Sequence, residues 1–172
     1  MAGDTLVVRL VRREEAEAAG RLVVAAFEAI PGAHMTGGYA EELFDVAGRS
    51  ARAEVYVAVE GGDVVGCTTL VTDPHSPLAE EVQEGECQIR MMAVAPSRQG
   101  QGIGQRLLDA VLQRVTPGND FDAVFLHSTP SMSAAHHLYR RNGFVRVPER
   151  DWRPVPDLTL IAFRLALPDA SG

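Results

Sequence analysis

The sequence contains no lysine. All 16 of its basic residues are arginines, which excludes chemistry that depends on a side-chain amine: Schiff-base formation, a pyridoxal-phosphate linkage, or the lysine of a P-loop. Cysteine is scarce too. Cys67 and Cys87 lie in separate apolar runs and not in a Cys-x-x-Cys pair, the pattern of two buried free thiols in a reducing compartment. No apolar stretch approaches the ~18 residues that a membrane span needs. The opening Met1-Ala2-Gly3-Asp4 lacks the basic and apolar regions of a secretory signal, so a cytoplasmic protein with no membrane partner is expected. Positive charge is in deficit, since 23 acidic residues leave a net charge of −7. A phosphate backbone requires a basic face, so no nucleic-acid partner is expected. Metal-ligand spacing is missing as well. His136 and His137 are neighbours that point about 100° apart on a helix, His75 sits in a proline-rich loop without ligands nearby, and no Gly-x-Ser-x-Gly elbow is present. No metal is expected.

What is present suffices for one domain. A chain of 172 residues falls within the ~100–200 residues of a typical domain and buries about 70% of its unfolded surface. The 46% hydrophobic content fits a soluble globule, read as a single domain over 1–172 with a core of about 5–167. Charge is unevenly placed. Residues 1–85 carry 6 Arg and 15 acids, a charge of −9, whereas residues 86–153 carry 9 Arg and 6 acids, a charge of +3.

Periodicity predicts the elements. Leu6–Leu10 reads as a strand. Arg12–Ile30 carries apolar residues at Ala16, Ala19, Leu22, Val23, Ala26 and Phe27, a helical stripe that Pro31-Gly32 stops. A weaker helix is expected over Tyr39–Ala47. Val55–Val59 and Val64–Val71 flank Gly61-Gly62, a hairpin signature, and Asp73–Pro77 is a loop. Glu86–Ala95 is extended, Gly102–Val115 is a helix closed by Pro117-Gly118, and Ala123–Leu126 is a short buried strand. A helix from Ser131 to about Arg141 ends at Asn142-Gly143. Phe144–Val147 and Leu158–Leu167 are the last two strands. The order implies a single α/β domain.

The informative segment is Met91 to Leu108, where a strand ends, three alternating glycines follow, and a helix begins inside the turn. The first amides of a helix have no internal partner and its N-terminal end is partly positive, so this is the physics of a phosphate cradle. A dinucleotide fingerprint fits poorly: Gln105 stands where its third glycine belongs, and a hairpin precedes the loop.

These residues resemble the GNAT superfamily of acyl-CoA-dependent N-acyltransferases. Gln99-Gly100-Gln101-Gly102-Ile103-Gly104, preceded by Ala93-Val94-Ala95-Pro96, matches that family's Gln/Arg-x-x-Gly-x-Gly/Ala hallmark, and Ala134 to Phe144 looks like its Ala-x-x-Leu-Tyr-x-x-x-Gly-Phe segment. The resemblance implies an α/β (α+β) fold: a mixed, mostly antiparallel sheet with splayed parallel strands, flanked by about four helices. It implies that acetyl-CoA (coenzyme A) is the co-substrate, with Met92, Ala93 and Val94 pairing to its pantetheine arm. The amides of Gln99, Gly100, Gln101, Gly102, Ile103 and Gly104 then hold the pyrophosphate. Met132 stands where many relatives have asparagine, so a hydroxyl from Ser131 or Ser133 is the expected substitute.

Transfer to an amine needs a polarised thioester carbonyl, a base for the ammonium and a donor for the departing thiolate. A strand amide near Met92 to Val94 suits the first role. Tyr139 is the family's usual thiolate donor; its alternative is a core aromatic. Two bases are open: Glu86, on the strand face that period two assigns to Glu86, Gln88, Arg90, Met92 and Val94, and His127, whose unperturbed pKa suits proton transfer near neutrality. The expected acceptor is a small-molecule or peptide amine, cationic because the acidic first half builds the acceptor wall in the family. The opposing reading gives that acidity to solubility alone. A non-catalytic acyl-CoA-binding or regulatory module on the same fold is the alternative function, and homodimers are frequent in the family.

Overall fold

The computed structural model describes residues 3–169 apart from 34, 36, 117 and 119. Pro117, expected to help close a helix, and both extreme ends of the 1–172 domain lie outside the described residues. The elements run β1 (Val7–Leu10), α1 (Ala16–Glu28), α2 (Tyr39–Phe44), α3 (Val46–Ser50), β2 (Glu54–Glu60), β3 (Asp63–Val71), β4 (Glu86–Val94), α4 (Ile103–Val115), β5 (Ala123–Ser128), α5 (Ser133–Arg141), β6 (Val145–Arg146), β7 (Trp152–Val155) and β8 (Leu158–Ala166). One sheet runs in the order β1-β2-β3-β4-β5-β8-β6, with β7 also pairing β8. Its only parallel pair among the described residues is β4–β5. No described helix is long and apolar enough to cross a membrane.

Each face of the sheet is covered by the helix stripe the sequence predicts. Ala19, Leu22, Val23 and Ala26 of α1 pack with Val55, Val57, Met91 and Ala93. On the other face, Leu108, Val111 and Val115 of α4 join Tyr56, Leu70, Cys87, Ile89 and the α5 residue Tyr139. Cys67 and Cys87 are free and buried. The β2–β3 hairpin turns at Gly61 and Gly62 with φ of 58° and 81°, a two-residue turn that needs positive φ at both positions.

Four expectations are corrected. The helix expected over Tyr39–Ala47 is two short helices, because Asp45 leaves helical geometry (φ −76°, ψ 64°) and its carboxylate accepts the Gly48 amide at 2.9 Å, capping α3. Arg49, buried beside this break, donates to the Glu42 and Leu43 carbonyls left open at the end of α2. Helix α5 starts at Ser133 and not Ser131. The C-terminal part gains an edge strand, β7, which the sequence hides behind Pro154; it pairs only at Trp152↔Leu160 and Val155↔Leu158. The fourth correction concerns β4. Cys67 faces Ala93 and Thr69 faces Arg90, so Met91 and Met92 together oppose Thr68. Met91 has φ 54°, the mark of a bulge. Before it, Cys87 and Ile89 point to the α4 face; after it, Met92 and Val94 do. Glu86, Gln88 and Arg90 therefore do not share a face with Met92 and Val94.

The bulge coincides with a second departure from regularity. The β4–β5 ladder consists of Glu86↔Ala123, Cys87↔Val124 and Gln88↔Phe125. Beyond Gln88 the two strands separate, and among the described residues β4 from Ile89 to Val94 has no ladder partner on that side.

Candidate active site

At the end of β4 the chain passes a 3₁₀ turn at Pro96–Arg98 and enters α4 through Gly100 and Gly102, with φ of 78° and 80°. Positive φ is what these two glycines supply, since a Cβ on either would meet nothing within 4 Å. Gly102 caps α4 without a side-chain hydrogen bond, and the first amide to bond within the helix is that of Arg106, to the Gly102 carbonyl at 3.1 Å. The amides of Ile103, Gly104 and Gln105 precede it and have no intrahelical partner. Gly104 has another role: its Cβ would lie 3.4 Å from Leu138 Cδ2 and 3.9 Å from Val94 Cγ2, so α4 packs closely on α5 and β4. This loop forms one end of a groove of about 400 Å³ between α1 and α5.

The structure gathers most of the sequence-predicted binding residues there. Met92, Ala93, Val94, Gln99, Gly100, Gly102, Ile103, Gly104 and Ser133 all line the groove. Gln101 does not; its side chain accepts from Arg98 Nε at 2.8 Å. Ser131 also lines it, with its hydroxyl donating to the Pro31 carbonyl at 3.3 Å. Met132 occupies the N-cap of α5 with its sulfur 3.5 Å from the Ser128 hydroxyl, so an apolar thioether fills the place of the family's amide.

Where β4 and β5 part, a space of about 90 Å³ is shared by Met92, Tyr139, His127, Met132 and Gln88. Tyr139 is 5% exposed, its ring packed on Phe144 and Phe163. Burial pushes its pKa up to about 12, and it lines both this space and the groove. His127 Nε2 lies 3.1 Å from the Arg150 carbonyl. A carbonyl only accepts, so Nε2 carries the proton and Nδ1 is a bare lone pair. That Nδ1 is buried and without a partner among the described residues. Burial holds the imidazole pKa below its ordinary value.

Glu86 is corrected as a candidate base. It lines none of these spaces. Its carboxylate accepts from Arg150 at 2.7 and 2.8 Å, from Arg164 at 2.9 Å and from the Gln83 amide at 3.0 Å. Burial alone would raise its pKa, but the hydrogen bonds outweigh it and hold the carboxyl below its ordinary value. All its lone pairs face the protein.

A third cavity, of about 570 Å³, opens on the far side of the 90 Å³ space and shares Phe27, Tyr39, Glu80, Arg90, Thr129 and Leu160 with it. Its inner end holds Arg90 between Glu80 at 2.5 Å and Glu42 at 3.5 Å. Gln88 fixes the Glu80 segment in both directions, its amide accepting from the Glu80 N–H at 2.9 Å and donating to the Glu80 carbonyl at 3.0 Å. Burial raises the Glu80 pKa and also that of Tyr39. Trp152 of β7 forms part of the outer wall. Sequence reasoning missed Glu80 and Trp152. Glu80 sits in an aperiodic loop that gives no signal; the chain's single tryptophan was a signal in itself. Among the described residues no group of His, Cys, Asp and Glu side chains is placed to hold a metal ion.

Residues 21–144 match the model of the acetyltransferase (GNAT) family. Solved structures agree in fold. A GNAT-family acetyltransferase from Staphylococcus aureus superposes with a TM-score of 0.74 at 15% identity, covering 95% of this chain and all of that one. The ribosomal-protein-S18-alanine N-acetyltransferase from Escherichia coli gives 0.70 at 18% identity, covering 96% of each chain. The yncA protein of Salmonella typhimurium, whose structure includes its cofactor acetyl-CoA, gives 0.70 at 17% identity, covering 97% of this chain and 96% of that one.

Proposed function

Because the chain belongs to the acetyltransferase (GNAT) family, we propose that it transfers the acetyl group of acetyl-CoA to the primary amine of a small molecule or peptide. The observation that carries this reading is continuity. The glycine-loop groove and the acidic cavity meet at one small space, and Tyr139 and His127 both border it. When bound, acetyl-CoA supplies the acetyl thioester. The residues fit such a molecule: positive-φ glycines with open space beside them and unpartnered α4 amides suit a pyrophosphate, and the unpaired edge of β4 suits an extended pantetheine arm.

The chain's own groups then divide the work. His127 is the base for the acceptor's ammonium proton. An amide of the bulged Met92–Val94 segment polarises the thioester carbonyl. Tyr139, whose raised pKa keeps its proton at any working pH, donates a hydrogen bond and then the proton to the departing thiolate. The third cavity takes the acceptor. Glu42, Glu80 and Asp157 outnumber Arg90 there, and Phe27, Trp152, Leu158 and Leu160 supply apolar walls, which favours a cationic amine carried on an apolar body.

The test is release of free CoA thiol from acetyl-CoA with a panel of amines, together with Tyr139→Phe. That variant keeps the ring packing and loses the proton. Its kcat is expected to fall by about tenfold or more, with calorimetric acetyl-CoA affinity unchanged. Tight binding without turnover on any amine would make the protein a binding module, and an undiminished Tyr139→Phe rate would return that residue to the core.

A further inference from the structure

Glu86 does no chemistry at the site, yet the groups it holds lead straight to His127. Its carboxylate takes both terminal nitrogens of Arg150. The same guanidinium donates to the Glu81 carbonyl at 2.8 Å and lies 3.7 Å from the centroid of the Phe125 ring. Phe125 is two residues before His127 on β5 and packs edge-on against it, with ring centroids 4.9 Å apart. Arg150 is thereby held by β4, β5 and the loop before β4, although it belongs to a short 3₁₀ turn, Pro148–Arg150, between β6 and β7. The backbone carbonyl of this anchored residue receives the His127 Nε2 proton.

We propose that Glu86 is a positioning residue: through Arg150 it fixes the carbonyl that holds the His127 proton on Nε2, leaving Nδ1 bare. An imidazole free to rotate or exchange tautomers presents a lone pair there only part of the time, and a base works only in the correct tautomer and orientation. The turn is tied to β8 on either side, the Val147 amide donating to the Ala162 carbonyl at 2.9 Å and Asp151 accepting from the Ala162 amide at 2.8 Å, and the Glu86 pair adds the hold on Arg150 itself. The carboxylate also needs two arginines for different reasons. Arg164 bonds Glu86 at 2.9 Å and helps neutralise it, but among the described residues its guanidinium makes no bond to His127. Arg150 bonds both. Loss of either arginine weakens the buried pair, whereas only loss of Arg150 releases the histidine. The catalytic part of this inference rests on His127 being the base; the proton's location does not.

Arg150→Met keeps contact with Phe125 and removes the guanidinium, and Glu86→Gln cuts the same link from its other end. Each is expected to lower kcat by about tenfold, as loss of an outer partner of an essential histidine does, with acetyl-CoA affinity by calorimetry unchanged. The two together should lower it no further than one alone. Arg164→Met is expected to keep wild-type kcat. Long-range proton–nitrogen spectra of histidine-labelled protein read the proton directly: an Nε2–H signal protected from exchange in wild type and Arg164→Met, and rapid exchange in Arg150→Met. If Glu86→Gln does not fold, the two arginine variants decide alone. Equal loss of kcat in Arg150→Met and Arg164→Met, or a protected Nε2–H in Arg150→Met, overturns the proposal. Full activity of His127→Asn would instead remove His127 as base while leaving the spectra to report the hold on its proton.

Discussion

As the proposed base, His127 works only while Nδ1 is bare, so protons in solution compete with the acceptor for it. Burial disfavours the imidazolium and lowers the pKa from the ordinary 6.5, which moves the competition to more acidic solution. Arg150 acts in the same direction, while its carbonyl, Glu81 and Asp151 oppose it. Across the space stand Tyr39, Glu80, Arg90 and Tyr139. The sign is therefore definite: kcat should fall on the acid side with an apparent pKa below 6.5 and be flat through neutrality. Stopped assays from pH 5 to about 8 check this; a limb at or above 6.5, or one that persists in His127→Asn, assigns the titration elsewhere. At this scale the sequence was partly legible. Tyr139 and His127, expected from motif and strand position, both border the small space where β4 and β5 part. Glu86 was misplaced because period two says which side of a strand a residue takes and nothing of what already waits there. Arg150 and Arg164 come from sequence distances that no local pattern encodes.

Among the elements, the turn into α4 concentrates the binding argument. Gly102 sits at φ 80° with open space beside it, so Gly102→Glu fits without collision, at about 1–2 kcal/mol for the left-handed backbone. It sets a carboxylate among amides suited to a pyrophosphate. Acetyl-CoA affinity is expected to drop by more than about tenfold with the far-ultraviolet circular dichroism retained. A folded variant with unchanged calorimetric affinity would remove the loop from cofactor binding. The glycines, the helix stripes and the Gly61-Gly62 hairpin were readable because each answers to a local rule. The break at Asp45 and the strand at Trp152–Val155 were not: one depends on a carboxylate choosing a cap over a helix, the other on pairing around a proline. The Met91 bulge was the least readable, since a methionine at positive φ is held there by its neighbours and contradicts its own preference.

For the molecule as a whole, charge is sorted along the chain. Residues 1–85, with their −9, contribute α1, the α1–α2 connection and Glu80 to the acidic cavity. If this field draws in a cationic amine, kcat/KM for the best amine should fall several-fold between about 0.01 and 1 M salt, over which the Debye length shrinks from about 30 to 3 Å. A salt-independent value would leave the acidity to solubility. The parting of β4 from β5 has a consequence of another kind. A sheet opened in its middle possesses inner borders as well as outer ones, and unsatisfied strand borders are where foreign strands add on and aggregates start. The outer borders are blunted by Arg9 on β1, by the shortness of β6, and by Arg153 and Pro154 on β7. The inner ones need no such guard, for they lie at the floor of a trench walled by Phe27 and Ile30 on one side and Ala134 and Leu138 on the other. The molecule thus keeps a length of adhesive backbone exposed to a slender ligand and shielded from its own kind.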